Sequence, residues 1–424
     1  MRLSRREFLA GAAALAAVSA LPAAALALDS SRPGYVILVD WDGFDPDYLG
    51  RVPTPNLDAL ASRGSLSLAD GTFHTFSNPS RASMSTGAYP EVHGNAAYFF
   101  NEVANKAVGQ NRFLAAETIN QALAAGGKTT ASVQWYMVQN HGTAYGNPQH
   151  LYVQPGGPFA NRVDVAIDIL NLRSVNSGGQ TVTVTQIPNF MAVYGSDLDD
   201  LGHVEGAESP NIGPLLTELD RQLGRLIQAT ADVGIYKQTA WILTSDHGMT
   251  TWSLTLLPNV YTAITAAGYR PEFVQPGNSP RDTTEVIIVP NGLRLGDFTL
   301  RGRAAISGGR ERVKAALQGL RQIERVYDKG DLGVLRASDK LGDLVAEARE
   351  PWGFGLSDDG VDGAHGSLQE IKIPLVLAGA GIRAGVAPQS PGLVDIAPTI
   401  AALMGTRPPA DAQGRVLTES LGVP

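Results

Sequence analysis

Seven residues of this chain have side chains suited to gripping divalent cations: Asp42, Ser77, Asp199, His203, Asp246, His247 and His365. Asp246 and His247 lie side by side in Thr244-Ser245-Asp246-His247-Gly248, directly after the strand-like run Thr239 to Leu243. A rigid strand delivers such side chains to the loop at a sheet edge. Asp42 follows a second apolar run, Tyr35 to Val39, that ends in Asp40. Taken locally it is either a ligand or a turn-former before Gly43. Asp199 and His203 are four residues apart, so one helical turn places both on one face. Asp197, Asp199 and Asp200 crowd the same stretch, which costs like-charge repulsion unless a cation is present. Ser77 precedes Pro79 by two residues, and proline suits the first turn of a helix. A serine at that positive helix end is either an N-cap or a nucleophile whose pKa a metal lowers. His365 sits in the glycine-rich loop Val361 to Ser367. Three Asp, three His and one Ser offer only oxygen and imidazole ligands, a set suited to zinc, with manganese or another divalent metal as the alternative. Seven ligands exceed one zinc and suit a pair about 4 Å apart. His93, His141 and His150 lie in turns or loops and read as structural or surface residues.

These residues need a frame. Residues 35–40 read as a parallel strand buried on both faces. Pro53 to Leu60 reads as a helix start capped by Asn56. Residues 114–131 hold a helix ending at Gly126 and then a strand from Thr129. Phe190 to Tyr194 is a strand leading into Asp199. Residues 212–233 form an amphipathic helix with Leu215, Leu216, Leu219, Leu223, Leu226 and Ile227 toward the core. Residues 139–181 are rich in Gly, Asn and Pro and show no clear period. Residues 251–360 carry a strand candidate, Glu285 to Val289, and a helix, Gly309 to Leu320, and read as a lid or small inserted subdomain. A strand at Ile373 to Ala378 and a helix from about Asp395 close the chain. Strands alternating with helices predict an α/β fold with a large, mainly parallel sheet sandwiched by helices.

The chain has 424 residues, enough for one large core or two. It has no cysteine, which excludes disulfides, thiolate metal sites and a cysteine nucleophile. Its formal charge of −8, with no basic patch, argues against binding a nucleic-acid polymer. Residues 1–27 read as an export signal: Ser4-Arg5-Arg6-Glu7-Phe8-Leu9, an Ala-rich apolar run and a small-residue cleavage site at Ala25-Leu26-Ala27. The rival is an N-terminal membrane anchor, for which the apolar run is short. Cleavage would remove three Arg and one Glu and take the formal charge from −8 to −10. The expectation is twin-arginine export of residues 28–424 as one catalytic domain, periplasmic or secreted, without stable membrane insertion.

The ordered set of motifs resembles the alkaline phosphatase superfamily, and within it the nucleotide pyrophosphatase/phosphodiesterase branch. The matching pieces are Asp42-Gly43, Thr54-Pro55-Asn56-Leu57, Ser77-x-Pro79 with Thr86-Gly87 and His93-Gly94, and Asp199-x-x-Gly202-His203. They continue with Ser245-Asp246-His247-Gly248-Met249, Gly342-Asp343-Leu344-Val345, Gly363-Ala364-His365-Gly366 and Asp395-Ile396-Ala397-Pro398-Thr399. Each is weak alone; together, in family order over nearly the whole chain after the signal, they are specific. The resemblance implies an alkaline phosphatase-like fold and two Zn²⁺ sites, one on Asp199, His203 and His365, the other on Asp42, Asp246 and His247 with the Ser77 oxygen. It implies Ser77 as nucleophile, a phosphoseryl intermediate and a small phosphate-ester substrate. The branch usually carries Thr at the nucleophile position. Its phosphoryl-contacting Asn is bracketed here by Asn95 and Asn101. Monoesterases of the superfamily add Lys or Arg groups for the extra negative charge. Residues 133–137 fall roughly where one such group stands and hold no cation, which favours diesters, whereas Arg81 points the other way as a substrate-binding candidate. Ser77-Asn78-Pro79-Ser80-Arg81 also matches the sulfatase signature, but sulfatases bind one calcium and lack the pairing of Asp199 and His203 with a late His365. A non-catalytic exported binding protein is a further alternative; decay to one would lose a ligand, and none is missing. The loops 95–112, 136–181 and 251–285 are expected to shape the leaving-group pocket. There Tyr98, Phe99, Trp135 and Tyr136 either stack on a base or pack the lid.

Overall fold

The computed structural model describes residues 32–306, 308–356 and 360–423. The expected export signal, residues 1–27, lies outside them. Among the described residues no helix is long and apolar enough to cross a membrane.

The frame is a seven-stranded sheet of β1 (Tyr35–Trp41), β2 (Ser65–Asp70), β3 (Thr130–Val133), β4 (His150–Val153), β5 (Phe190–Gly195), β6 (Thr239–Thr244) and β7 (Lys372–Gly379), in the order β2-β7-β6-β1-β5-β3-β4. The ladders from β6 through β4 are parallel, whereas β7 runs antiparallel to both its neighbours. The sheet is therefore mixed but mainly parallel. Helices cover both faces: α1 (Pro55–Arg63), α2 (Ser77–Thr86), α3 (Ile119–Ala125), α4 (Phe159–Leu170), α5 (Asp197–Glu205), α6 (Ile212–Asp232) and α7 (Ile396–Met404).

The period of two along β1 divides the core. Ile37, Val39 and Trp41 pack with Leu57 of α1, Val163 of α4 and Leu216, Leu219 and Leu223 of α6. Val36 and Leu38 face the other layer, with Met84 of α2, Ile119 of α3 and Ile400 of α7. Both layers are apolar, which is why β1 reads as an unbroken hydrophobic run. Each fully buried aliphatic side chain there contributes about 1.5–3 kcal/mol.

Several local expectations are corrected. α1 is capped from outside: Thr54 holds the N-cap position without a side-chain bond, and the Asp220 carboxylate of α6 accepts the backbone N–H of Asn56 and Leu57. Leu215 and Ile227 are only partly buried, at the margin of the apolar stripe. α3 starts at Ile119, where Thr118 and Gln121 make a capping box. The stretch 139–181, unreadable by period, contains β4, α4 and a hairpin of Val175–Ser177 with Gln180–Val182.

Residues 251–360 build a second sheet, ordered Pro271–Phe273, Val286–Asn291, Leu295–Leu300, Leu344–Ala348 and Ile323–Asp328, with its own core of Leu256, Val260, Ile264, Val286, Ile288 and Phe298. Its entry and exit are zipped together: Thr250–Trp252 pairs antiparallel with Asp362–Ala364, Thr250 opposite Ala364. That pairing brings the chain after His247 beside the chain before His365.

Candidate metal and nucleophile site

The parallel strands end at one edge, and the polar residues collect there. Asp42 follows β1 and Asp246 and His247 follow β6, its neighbour. Asp199 and His203 lie on α5, which follows β5 on the other side of β1. Gly43 takes a positive φ of 67°, and a Cβ there would stand 3.0 Å from the Asp199 Cα. Only glycine lets the β1 turn and α5 approach so closely. Gly363 does the same on the other side, where an added Cβ would lie 2.2 Å from the Gly202 carbonyl oxygen.

The expected ligands converge. Asp42 Oδ1 and Asp246 Oδ2 lie 3.4 and 3.2 Å from His247 Nε2. Asp199 Oδ1 lies 3.4 Å from His203 Nε2 and 3.6 Å from His365 Nε2, and the two Nε2 atoms are 3.2 Å apart. His247 and His365 stack at 3.6 Å between centroids, so His247 stands between the two halves; Asp199, His247 and His365 also form a compact ligand group. Ser77 Oγ is 3.2 Å from His247 Nε2. Ser77 is the first residue of α2, after Phe76 at the cap, so its hydroxyl is not used as an N-cap.

Each histidine is oriented by a backbone carbonyl. His203 Nδ1 donates to Gly363 O, His247 Nδ1 to Gly248 O and His365 Nδ1 to Thr75 O, each at 2.9 Å. A carbonyl only accepts, so the ring proton is on Nδ1 and every Nε2 turns a lone pair inward. Burial drives His247 down to about 4 and His365 well below its ordinary value, keeping both rings neutral. At His203, burial is outweighed by the Asp199 charge, and the pKa rises. Burial, reinforced by the Asp42 charge, pushes Asp199 up to about 8. Burial raises Asp246 as well, with repulsion from Asp42 and Asp40 against the pull of Arg81. Asp42 alone is lowered: burial would raise it, but Arg81 and His247 prevail.

Asp42 Oδ1 and Asp199 Oδ1 are buried without a hydrogen-bond partner, and Asp246 Oδ2 is buried with only an ion pair to the Arg81 guanidinium. Buried carboxylate oxygens left so are costly. Inward lone pairs facing orphaned carboxylate oxygens are the donor set of a divalent-cation site, so the residues present fit the two metals the motifs imply.

The remaining candidates are placed differently. Arg81 is fully buried in α2, with Nε 2.6 Å from Asp40 Oδ2, Nη2 3.0 Å from Asp42 Oδ2 and Nη1 3.1 Å from Asp246 Oδ2. It offsets the charge of these three buried carboxylates. Asn95 spends its amide on the carbonyls of Asn111 and Phe113 and its oxygen on Ala97 N. Asn101 lies in a short strand, Phe99–Asn101, and accepts from Ala104 N. Trp135 is fully buried and donates to Asp40, and Phe99 packs in a core cluster. Tyr98 sits 5.2 Å from Phe76, which in turn faces His365.

Sequence reasoning missed four supporting residues. Tyr194, the penultimate residue of β5, donates to Asp42 Oδ2 at 2.6 Å. Asp40 anchors Arg81; its even position on β1, toward α2, was the available signal. Thr75 takes His365 Nδ1 on its carbonyl, and its hydroxyl donates to Ser367 O and accepts from Gly366 N. Asp45, raised to about 6 by burial, accepts from Met249 N and holds the His247 loop.

Comparison with known proteins gives a consistent picture. The family model described as type I phosphodiesterase / nucleotide pyrophosphatase matches residues 36–368. Human ectonucleotide pyrophosphatase/phosphodiesterase family member 5 is 28% identical over 58% of this chain, a match spanning only half of that relative. The bis(5'-adenosyl)-triphosphatase of Bos taurus is 24% identical over 89% of this chain and 80% of its own length. The solved structure of the human member 5 superposes with a TM-score of 0.70 at 22% identity, covering 88% of this chain and 96% of that one. A murine counterpart, inactive and in complex with AMP, gives 0.69.

Proposed function

Because the chain belongs to the type I phosphodiesterase / nucleotide pyrophosphatase family of phosphoester hydrolases, we propose that it cleaves phosphodiester or phosphoanhydride bonds of small substrates through Ser77. One observation carries the reading: the Ser77 hydroxyl stands at the start of α2, beside two converging carboxylate–imidazole clusters.

Asp42, Asp246 and His247, with Ser77, would hold one divalent cation, and Asp199, His203 and His365 the other, zinc being the metal best suited to the donors. Bound there, such ions supply Lewis-acid stabilisation of phosphoryl oxygens and lower the pKa of a coordinated hydroxyl or water. The chain's own contribution is placement. Asp42 is fixed by Tyr194 and Arg81, and His247 by Gly248 O, so Ser77 Oγ meets a preset surface. His247, held near 4, is a poor proton acceptor, and its inward lone pair suits a cation better than a proton. The positive end of α2 favours the anionic phosphoryl group. In the first step the Ser77 Oγ–P bond forms as the bond from phosphorus to the leaving oxygen breaks, and the leaving group departs with a proton. Water then adds to phosphorus, the Oγ–P bond breaks, and the serine proton is restored.

Relatives named for nucleotide pyrophosphatase and diadenosine triphosphatase activity support nucleotides as the substrate class. The twin-arginine motif at Arg5 and Arg6 supports export to the periplasm or beyond. The test compares bis-p-nitrophenyl phosphate, p-nitrophenyl phosphate and p-nitrophenyl sulfate with metal-loaded protein. The diester is expected to have the highest kcat/KM; a faster sulfate ester, or formylglycine at position 77, would refute the assignment.

A further inference from the structure

The inserted sheet is joined to the ligand loops by more than its two zipped ends. Residues 292–294 turn between its strands Val286–Asn291 and Leu295–Leu300. Gly292 has a φ of 69°, and a Cβ added there would stand 2.2 Å from the His365 carbonyl oxygen. Leu293 forms a parallel β-bridge with His365 itself. The next residue, Arg294, is fully buried. Its Nη1 donates to Trp352 O at 2.8 Å and its Nη2 to Gln369 Oε1 at 2.6 Å, while its Nε lies 3.4 Å from Glu370 Oε1. Those last two atoms have no hydrogen-bond partner, and the ion pair between them offsets their burial.

Glu370 spends its other acceptors on both ligand loops. Its carbonyl oxygen accepts from Gly248 N at 2.8 Å, and Gly248 is the residue whose own carbonyl orients His247. Its Oε2 accepts from Ser367 N at 2.8 Å, two residues after His365. Ser367 O is taken by the Thr75 hydroxyl, and Thr75 O by His365 Nδ1. One residue thus fastens the His247 loop with its main chain and the His365 loop with its side chain. The two rings stack at 3.6 Å between centroids, so the spacing of these loops sets the spacing of the ligands.

We infer that Glu370 is a positioning residue that holds the His365 loop in register with the His247 loop for the cation on Asp199, His203 and His365, and that Arg294 carries this tie into the inserted sheet. The inference rests on the two-cation reading above. A group that orients a ligand without touching the metal contributes to affinity through the geometry it imposes. Gly248 meets a main-chain carbonyl that every substitution at position 370 keeps. Ser367 meets the side chain, so substitution acts on the His365 loop.

The experiment titrates metal-free full chain with Zn²⁺ by calorimetry and follows thermal melts beside it. The first variant, Arg294→Met with Glu370→Leu, removes both buried charges together and leaves neither unpaired. It should melt close to the wild type, yet bind one of its two ions about tenfold to a hundredfold more weakly. Arg294→Met with Glu370→Gln keeps an acceptor of the same reach for Ser367 N and should recover most of that affinity. Glu370→Asp keeps the charge but withdraws it by one methylene, and should weaken the same ion; it decides the matter if the leucine variant does not fold. Wild-type affinity for both ions in the folded leucine variant, or in Glu370→Asp, would overturn the inference. A glutamine variant as weak as the leucine one would also overturn it, by assigning the loss to the missing charges. A wild-type protein that takes up no second ion would overturn the two-cation reading and this inference with it.

Discussion

Asp42, Asp246 and His247 project from the ends of two paired strands, whereas Asp199, His203 and His365 are assembled from a helix and from the loop that returns out of the inserted sheet. The first cluster is sealed: its side chains are 0 to 3% exposed, and it contains a resident cation, Arg81. The second is more open, with the His203 side chain 38% exposed, and among the described residues no lysine or arginine forms an ion pair with its carboxylate. It depends on the Gly363 and Thr75 carbonyls and on the zipped pair Thr250–Trp252 with Asp362–Ala364. The first half is therefore preformed by the main sheet, whereas the second has no resident cation among the described residues.

This contrast can be broken from either side. The largest effect should follow Arg81→Met, which leaves Asp40, Asp42 and Asp246 facing one another in a buried space. Removing one partner of such a buried network costs about 3–5 kcal/mol. Denaturant melts should show that loss in metal-free protein and a smaller one when metal is bound, since a cation replaces part of the missing charge. Equal stability of variant and wild type without metal would deny Arg81 this role.

His203→Ala should act on the open half alone. The expected metal content falls from two ions per chain to one, the fold is kept, and diester kcat/KM drops by at least about a hundredfold, beyond what losing an outer-shell partner costs. Elemental analysis and kinetics together read this out, and two retained ions would place His203 outside the ligand set.

The smallest effect is the pH dependence of cation binding. Asp199, pushed up to about 8 by burial and by Asp42, and sharing its titration with His203, holds a proton more tightly in the metal-free protein than an ordinary carboxyl. A carboxyl with a raised folded pKa lends stability that is complete below its ordinary 3.8 and lost as pH rises through about 8. Metal must displace that proton, so affinity of the open half should weaken as pH falls below about 8, with proton release on binding. Calorimetry in buffers of different ionisation enthalpy measures the release; none at pH 7 would contradict the shift.

Much of this site was legible because its chemistry sits at strand ends and at helical spacing. Asp246-His247 directly follows an apolar run, and Asp199 and His203 are one turn apart, so both could be read locally. The second sheet showed itself only as a mixed segment, because its strands pair across up to several dozen residues. What stayed hidden depends on side-chain direction. Arg81 looked like a substrate contact within a linear motif; only the packing of α2 on β1 turns it toward Asp40. Asn95 sits where a phosphoryl ligand was sought, but the carbonyls of Asn111 and Phe113 consume its amide. Tyr194 read as a plain strand residue, since nothing local reveals that β5 lies beside β1.

The central claim is that Ser77 is the group that attacks phosphorus. Rapid quenching of metal-loaded protein turning over bis-p-nitrophenyl phosphate, followed by peptide mass spectrometry, tests it most directly. The account predicts a phosphoester adduct on Ser77, and in Ser77→Ala no adduct together with a kcat lower by more than about a thousandfold at unchanged metal content. An Ser77→Ala protein that keeps both its metals and its turnover would contradict it.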